Sequence, residues 1–241
     1  MIRAVFFDAG ATLLFPDPPV HHVYAREFVA DGCAFSDETL ARALESAWKA
    51  IRSKEKTDRY GGVRGETEFW KSVLNRVRAA LDGGTVSDDA FARLASHFRN
   101  ARSWAIFDDV GPTLERLRQR GFLMGVVSNW DSHLPRLLED LGLSRHFDAV
   151  VVSAIEETGK PDPEIFRRAC ARVGVSPEEA LHVGDSLVED LEGARAAGLA
   201  ALLLDRQNNS PGIADRIRGL GELPSRIQGG GFAAAKSSDS G

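Results

Sequence analysis

Five short apolar runs constrain this chain more than anything else in it: Arg3–Phe7, Phe122–Ser128, Asp148–Ser153, Ala180–Val183 and Ala200–Leu204. They are β-branched or Leu-rich and do not alternate with polar residues. A strand with one wet face must alternate, so these runs suit a parallel sheet covered on both faces. Helical patterns separate the later runs. Pro112–Arg120 has Pro near its first position and Gly121 just past its end. Leu134–Leu141 follows the second run. Asp162-Pro163 opens another helix as N-cap and N1, and Gly174 closes it. Ser176-Pro177-Glu178-Glu179 is a capping-box pattern starting a short turn. Val188–Ala197 ends at Gly198, suited to a C′ position. This alternation predicts an α/β fold, a doubly wound parallel sheet.

The stretch 16–107 contains no convincing strand. Leu40, Leu44, Trp48 and Ile51 recur at helical spacing, as do Phe69, Val73 or Leu74, Val77 and Leu81, then Phe91, Leu94 and Phe98. It reads as a helical domain inserted after strand 1, with linkers at Phe15–Pro19 and Ala105–Gly111. The predicted division is a core of 1–15 and 108–224, a helical insertion of 16–107, and a disordered Gly-, Ala- and Ser-rich tail of 225–241. At 241 residues there is room for one large domain plus such an insertion. A net charge of -5 provides no basic footprint for nucleic acid. No apolar stretch approaches the ~20 residues of a membrane span. There is no signal-peptide pattern, and Cys33 and Cys170 suggest neither a disulfide framework nor a zinc site. The expected location is the cytoplasm. Oligomeric state is not readable.

In open α/β sheets the ligand crevice lies beyond the carboxyl ends of the strands. Asp8 ends strand 1 there, Ser128-Asn129 ends strand 2, Lys160-Pro161 follows strand 3, and Gly184-Asp185 ends strand 4 with Asp190 one helical turn on. Each alone passes as a turn former, a cap or a solvated charge. The ordered set does not. Asp8-x-Gly10-x-Thr12, Ser128-Asn129, Lys160-Pro161-Asp162-Pro163 with Ile165-Phe166, and Gly184-Asp185-Ser186-x-x-x-Asp190 resemble the motifs of the haloacid dehalogenase superfamily. The resemblance covers about 1–15 and 108–205. It implies a Rossmann-like core, and the insertion resembles that superfamily's C1-type helical cap. The run Val126-Val127-Ser128-Asn129-Trp130-Asp131 and the reduced first motif look most like the haloacid dehalogenase-like hydrolase domain-containing protein 3 group.

The resemblance implies a Mg²⁺-dependent phosphatase acting on a small phosphorylated molecule. Asp8 would be the nucleophile, forming an aspartyl-phosphate that water hydrolyses. Ser128 would donate to a phosphoryl oxygen, and Lys160 would keep Asp8 ionised and stabilise the transition state. The Mg²⁺ ligands would be Asp8, the Gly10 carbonyl and Asp185, with Asp190 a further ligand or a supporting acceptor. Thr12 and Asn129 would support the loop. Phosphatases of this superfamily usually carry a second Asp where Gly10 stands. Its acid–base help is typically ~10²–10⁴-fold, so slow turnover survives its loss. Acyl and aryl phosphates, with good leaving groups, suffer least. His21 or His22 could supply the acid, although adjacent exposed histidines are ordinary. The alternatives are a 2-haloacid dehalogenase, whose halide needs no proton; a phosphonatase using Lys49, Lys54, Lys56 or Lys71; and a catalytically weak metal-binding regulatory protein. Trp48, Phe69 and Trp70 read as insertion core, one of which could still face the crevice.

Overall fold

The computed structural model describes residues 1–52 and 62–228. Strand β1 (Ala4–Phe7) is followed by β2 (Leu14–Pro16) and four helices: α1 (Val20–Ala30), α2 (Asp37–Arg52), α3 (Gly62–Asp82) and α4 (Asp88–Arg99). The chain returns through β3 (Trp104–Ile106) to α5 (Val110–Gln119), β4 (Leu123–Ser128), α6 (Leu134–Asp140), β5 (Ala149–Val152), α7 (Ser153–Glu156) and α8 (Pro163–Val173). It ends with β6 (Ala180–Gly184), a π-helical turn at Leu187–Glu192, α9 (Gly193–Ala196), β7 (Ala200–Leu204), β8 (Arg216–Ile217) and α10 (Leu223–Gln228).

The main sheet has the order β5-β4-β1-β6-β7-β8, and every pairing is parallel. From β1 the chain first builds outward through β4 and β5, then crosses back to β6 on the other side. Strand β1 therefore lies at the reversal of strand order, where a crevice opens beyond the carboxyl ends. The absence of alternation has its reason here. Val5 and Phe7 enter one core with α5, α6 and α10, while Ala4 and Phe6 enter the other with α8 and α9, and all four are fully buried. Local signals set the helix ends: Asp162 accepts the Glu164 N–H at 2.9 Å to start α8, and Gly174 ends it at φ 69°. Gly198 stops α9 at φ 92°.

Helices α1–α4 share a separate core built on Val23, Phe28, Leu40, Leu44, Leu74, Val77 and Leu94. Arg78 ties α3 to the end of α1, with Nη1 at 2.9 Å from Asp31 and Nε at 3.0 Å from Asp82 within its own helix.

The structure departs from the sequence expectation in four places. The stretch 16–107 does hold strand: β3 pairs antiparallel with β2 in a two-stranded ribbon across both linkers. Three residues per strand are too few to show a period. Helix α1 carries four buried residues, yet two histidines at its start mask its periodicity. Strand β8 is only two residues long. Residues 225–228, expected in the disordered tail, complete α10, which packs through Leu223 against the α5 side of the sheet. Residues 229–241, Lys54, Lys56 and the side chains of Trp48 and Ile51 lie outside the described residues.

Gly125 is where the sheet tolerates no side chain. A Cβ there would stand 2.8 Å from the Phe6 ring and 3.0 Å from the Ala149 carbonyl. Gly125→Ala is expected to destabilise by about 1–3 kcal/mol, as overpacking does. A thermal melt should fall by about 2–4 °C for each kcal/mol, and an unchanged melting temperature would refute this packing account.

Candidate active site

Four sequence-distant segments converge beyond β1, β4 and β6. Asp8 follows β1 directly, and its N–H donates to the Val183 carbonyl of β6 at 2.9 Å. Ser128 is the last residue of β4, Lys160 lies in the loop before α8, and Asp185 follows β6. Asp190 is carried on the π-helical turn. At Gly184 a Cβ would overlap the Asp190 carboxylate, so a glycine is what lets that carboxylate reach the sheet.

The hydrogen bonds run through one buried ammonium. Lys160, 2% exposed, sets its Nζ at 2.6 Å from Asp8 Oδ1 and 2.5 Å from Asp190 Oδ1. Ser128 Oγ donates to the same Asp8 oxygen at 2.9 Å. Asn129 clamps the Lys160 peptide from both sides, accepting its N–H and donating to its carbonyl, each at 2.8 Å. Its amide also donates to Glu189 at 3.0 Å. Asp190 further accepts the Ser186 N–H at 2.9 Å on Oδ2 and holds His182 Nε2 at 2.8 Å on Oδ1. An ionised carboxylate only accepts, so His182 carries its proton on Nε2; Nδ1 is left buried and unpartnered.

These contacts divide the carboxylates. Asp8 is pushed up to about 6: burial raises it, the Lys160 charge pulls it down, and the Asp190 charge raises it again. Asp185 is pushed up to about 7 by crowding against protein and by the charges of Asp8 and Asp190. Because residue 185 is itself exposed to solvent, like-charge repulsion is the cause with chemical meaning. Burial also works against ionised Asp190, yet Lys160 and His182 outweigh it and hold Asp190 well below the usual carboxylate range. For Lys160, burial opposes the charge, and the two aspartates overcome it and raise its pKa. Burial lowers His182, which stays neutral at pH 7.

Asp8, Asp185 and Asp190 each present an oxygen within 4.8 Å of the others. Three carboxylates against one ammonium leave surplus negative charge, and an all-oxygen donor set suits a hard divalent cation. Among the described residues the Gly10 carbonyl accepts no hydrogen bond; the turn around it is closed by Ala9 and Ala11, which bond to Leu13 and Leu14. The donor set therefore fits Mg²⁺, with Asp8, Asp185 and Gly10 the freer donors and Asp190 already holding three protein groups.

Thr12 Oγ1 is buried without a partner, and its carbonyl instead accepts Arg206 Nη2 at 3.0 Å. Arg206, which pairs with Asp109 at 2.9 Å and lies 3.9 Å over the Phe107 ring, braces this loop. It carries no motif in the sequence, and neither does Glu189. His21 and His22 are exposed and pack on each other, and neither lines the cavity described next. Lys49 is exposed, and Lys71 is engaged by Asp88 at 2.9 Å.

A cavity of about 300 Å³ opens between the helical layer and the sheet, with Gly10, Ala11, Asn129 and Trp130 at its sheet end. Phe69 and Trp70 are among its walls, so both of these insertion aromatics face it. The seam is hydrogen-bonded onto the loop just after Asn129. Trp70 Nε1 donates to Asp131 at 3.3 Å, buried Glu66 accepts the Ser132 N–H at 2.5 Å and its hydroxyl at 2.9 Å, and His133 Nε2 meets the Arg99 carbonyl at 2.8 Å.

Known proteins share this architecture. A family model described as haloacid dehalogenase-like hydrolase matches residues 2–198. The chain is 34% identical to mouse haloacid dehalogenase-like hydrolase domain-containing protein 3 over 84% of its length and 82% of that protein. It is 32% identical to glyceraldehyde 3-phosphate phosphatase of Methanopyrus kandleri, covering 86% and 85% of the two chains. A crystal structure of an HAD phosphatase from Thermococcus onnurineus superposes with a TM-score of 0.68 at 28% identity, covering 95% and 99%. Dehalogenases also occur among the structures of similar fold, at 26% identity. The family model and the relatives agree over most of the chain, and the chain belongs to the haloacid dehalogenase-like hydrolases.

Proposed function

We propose that this hydrolase is a Mg²⁺-dependent phosphatase of small phosphate monoesters, working through an aspartyl-phosphate on Asp8. One observation carries the reading: the buried Lys160 ammonium pairs with both Asp8 and Asp190, and its single positive charge faces three clustered carboxylates, so the site keeps surplus negative charge. A bound Mg²⁺ would neutralise that surplus and the charge of the phosphoryl group. Asp8 offers one oxygen to Lys160 and Ser128, leaving the other for attack on phosphorus. Lys160 keeps that carboxylate ionised and lies where charge gathers on the transferred oxygens. Ser128 can exchange its bond to Asp8 for one to a phosphoryl oxygen. Asn129 keeps the Lys160 peptide from shifting during these exchanges. The phosphatase among the relatives supports this chemistry, and two free, buried cysteines support a cytoplasmic setting. Among the described residues no helix is long and apolar enough to cross a membrane.

Dehalogenase chemistry would also use Asp8 and would need no acid at position 10. The surplus negative charge at Asp185 weighs against it, because a 2-haloacid brings a carboxylate and no metal.

Asp8→Asn should lower kcat on phosphate monoesters by at least about 10³-fold with an unchanged circular dichroism spectrum, and EDTA should abolish turnover of the wild type. Chloride release from 2-haloacids in EDTA would overturn this reading in favour of the dehalogenase.

A second expectation follows from Asp8 and Asp185. In the folded chain both carboxyls are pushed up, to about 6 and about 7, above the ordinary aspartate range. The folded chain thus holds more protons than the unfolded chain between about pH 4 and 7, and these groups lose stability as pH rises through that window. A cation replaces those protons. The rise in melting temperature on adding Mg²⁺ should therefore be larger at pH 8 than at pH 5, and an equal rise at both would contradict the site.

A further inference from the structure

The cavity and the residue at position 10 belong to one design. A Cβ on Gly10 would stand 3.2 Å from Trp130 Cζ3, so an indole occupies the space into which a side chain at 10 would grow. From there an aromatic wall continues into the helical layer. Trp130 lies 5.0 Å from Trp104, Trp104 lies 6.3 Å from Phe98, and Phe98 meets Tyr24 edge-on at 5.8 Å, measured between ring centroids. Phe69 and Trp70 form a further edge-on pair in the same cavity. Such walls gain most from a flat ring, stacked or met edge-on. A cavity of about 150 Å³ can hold a benzene; this one, about 300 Å³, has room for a larger ring system.

Among the described residues, the carboxyl, imidazole and phenol groups that line the cavity are engaged by protein or hold their protons tightly. Asp131 accepts from Trp70 and from the His133 N–H, and Glu66 accepts on both oxygens from Ser132, so these carboxyl oxygens are already held by protein donors. His133 Nε2 faces a carbonyl, which only accepts, so its proton is already engaged there. The Tyr24 phenol is pushed above its ordinary range by burial and holds its proton more tightly. With no carboxyl at position 10, a leaving oxygen in this cavity departs best as an anion, and aryl oxides do so far more readily than alkoxides.

We propose that the substrates are aryl phosphate monoesters, whose ring is seated against Trp130, Trp104 and Phe98. The proposal rests on the phosphatase reading and names its substrate class. The Asp8 carboxylate attacks phosphorus, the bond from phosphorus to the aryl oxygen breaks, and the electron pair leaves with the aryl oxide. The aryl oxide takes a proton from solvent on release. Water then attacks the aspartyl-phosphate, its proton passes to the phosphate, and the Asp8 carboxylate is restored.

The test compares wild-type kcat/KM, with Mg²⁺, for 1-naphthyl phosphate, phenyl phosphate, glycerol phosphate and acetyl phosphate. Acetyl phosphate has a good leaving group and no ring. The aryl esters should exceed glycerol phosphate by about 10²-fold or more, the scale of a missing general acid. 1-Naphthyl phosphate should also exceed acetyl phosphate, and Phe98→Ala should shrink that ratio about tenfold or more. Glycerol phosphate turned over as well as the aryl esters, or a ratio unmoved by Phe98→Ala, would overturn the proposal while leaving a phosphatase. No turnover of any ester, acetyl phosphate included, would overturn the phosphatase reading and the leaving-group step with it. Quenching of tryptophan fluorescence by 1-naphthylmethylphosphonate and methylphosphonate then judges the cavity by itself. Tighter binding of the aryl compound upholds the ring site, and equal binding removes it.

Discussion

A lysine ammonium buried between two aspartates is the constraint around which the rest of this molecule is arranged. Removing a charge from water costs several kcal/mol unless partners surround it. Lys160 meets that requirement with Asp8 and Asp190, which arrive from β1 and from the turn after β6. Taking away either aspartate would leave the ammonium with a single partner, and taking away Lys160 would leave two buried carboxylates uncompensated. The loop, the two strands and the π-helical turn are thereby held in one relative position. Two glycines belong to the same requirement: Gly184 makes room for the Asp190 carboxylate, and Gly193 lets α9 approach the backbone of Pro161, next to Lys160. The charge balance that secures the interior is also what leaves Asp185 exposed with negative potential at the crevice.

The helical layer is joined to this arrangement through a short stretch of chain. Residues 128–133 run from the end of β4 across the crevice floor to the seam. Ser128 touches Asp8, Asn129 clamps Lys160, Trp130 covers Gly10, and Asp131, Ser132 and His133 bond to α3 and α4. Contacts that secure the helical layer and contacts that orient the charged groups thus share one backbone segment. A change at the seam reaches the Asp8 cluster through only a few covalent bonds.

Much of this was legible in the residues. The unalternating runs were right because Ala4 to Phe7 is buried on both faces, and such burial leaves a plain mark on composition. Asp8, Ser128, Lys160 and Asp185 were singled out by their order along the chain, in motifs that resemble those of the haloacid dehalogenase superfamily, because each alone passes as a turn former, a cap or a solvated charge. What stayed hidden was of a different kind. The β2–β3 ribbon is too short for any periodicity. Arg206 meets Asp109 and the Thr12 carbonyl only after the fold forms, and nothing local marks it. Glu189 sits beside Asp190 in sequence, but its bond to Asn129 depends on how the π-helical turn rotates it. That the Thr12 hydroxyl lacks a partner while its carbonyl has one could not be read from the letter alone.

The β2–β3 ribbon has a consequence for how the molecule can be rebuilt. Both connections between the two layers pass through it, and they are laddered to each other at Leu14–Ile106, Phe15–Ala105 and Pro16–Trp104. The insertion therefore leaves and rejoins the chain at a single gate, whose two posts are already spliced side by side. A tight hairpin bridging those posts would delete the whole helical layer without reordering a strand, and a foreign layer could be grafted on the same stump.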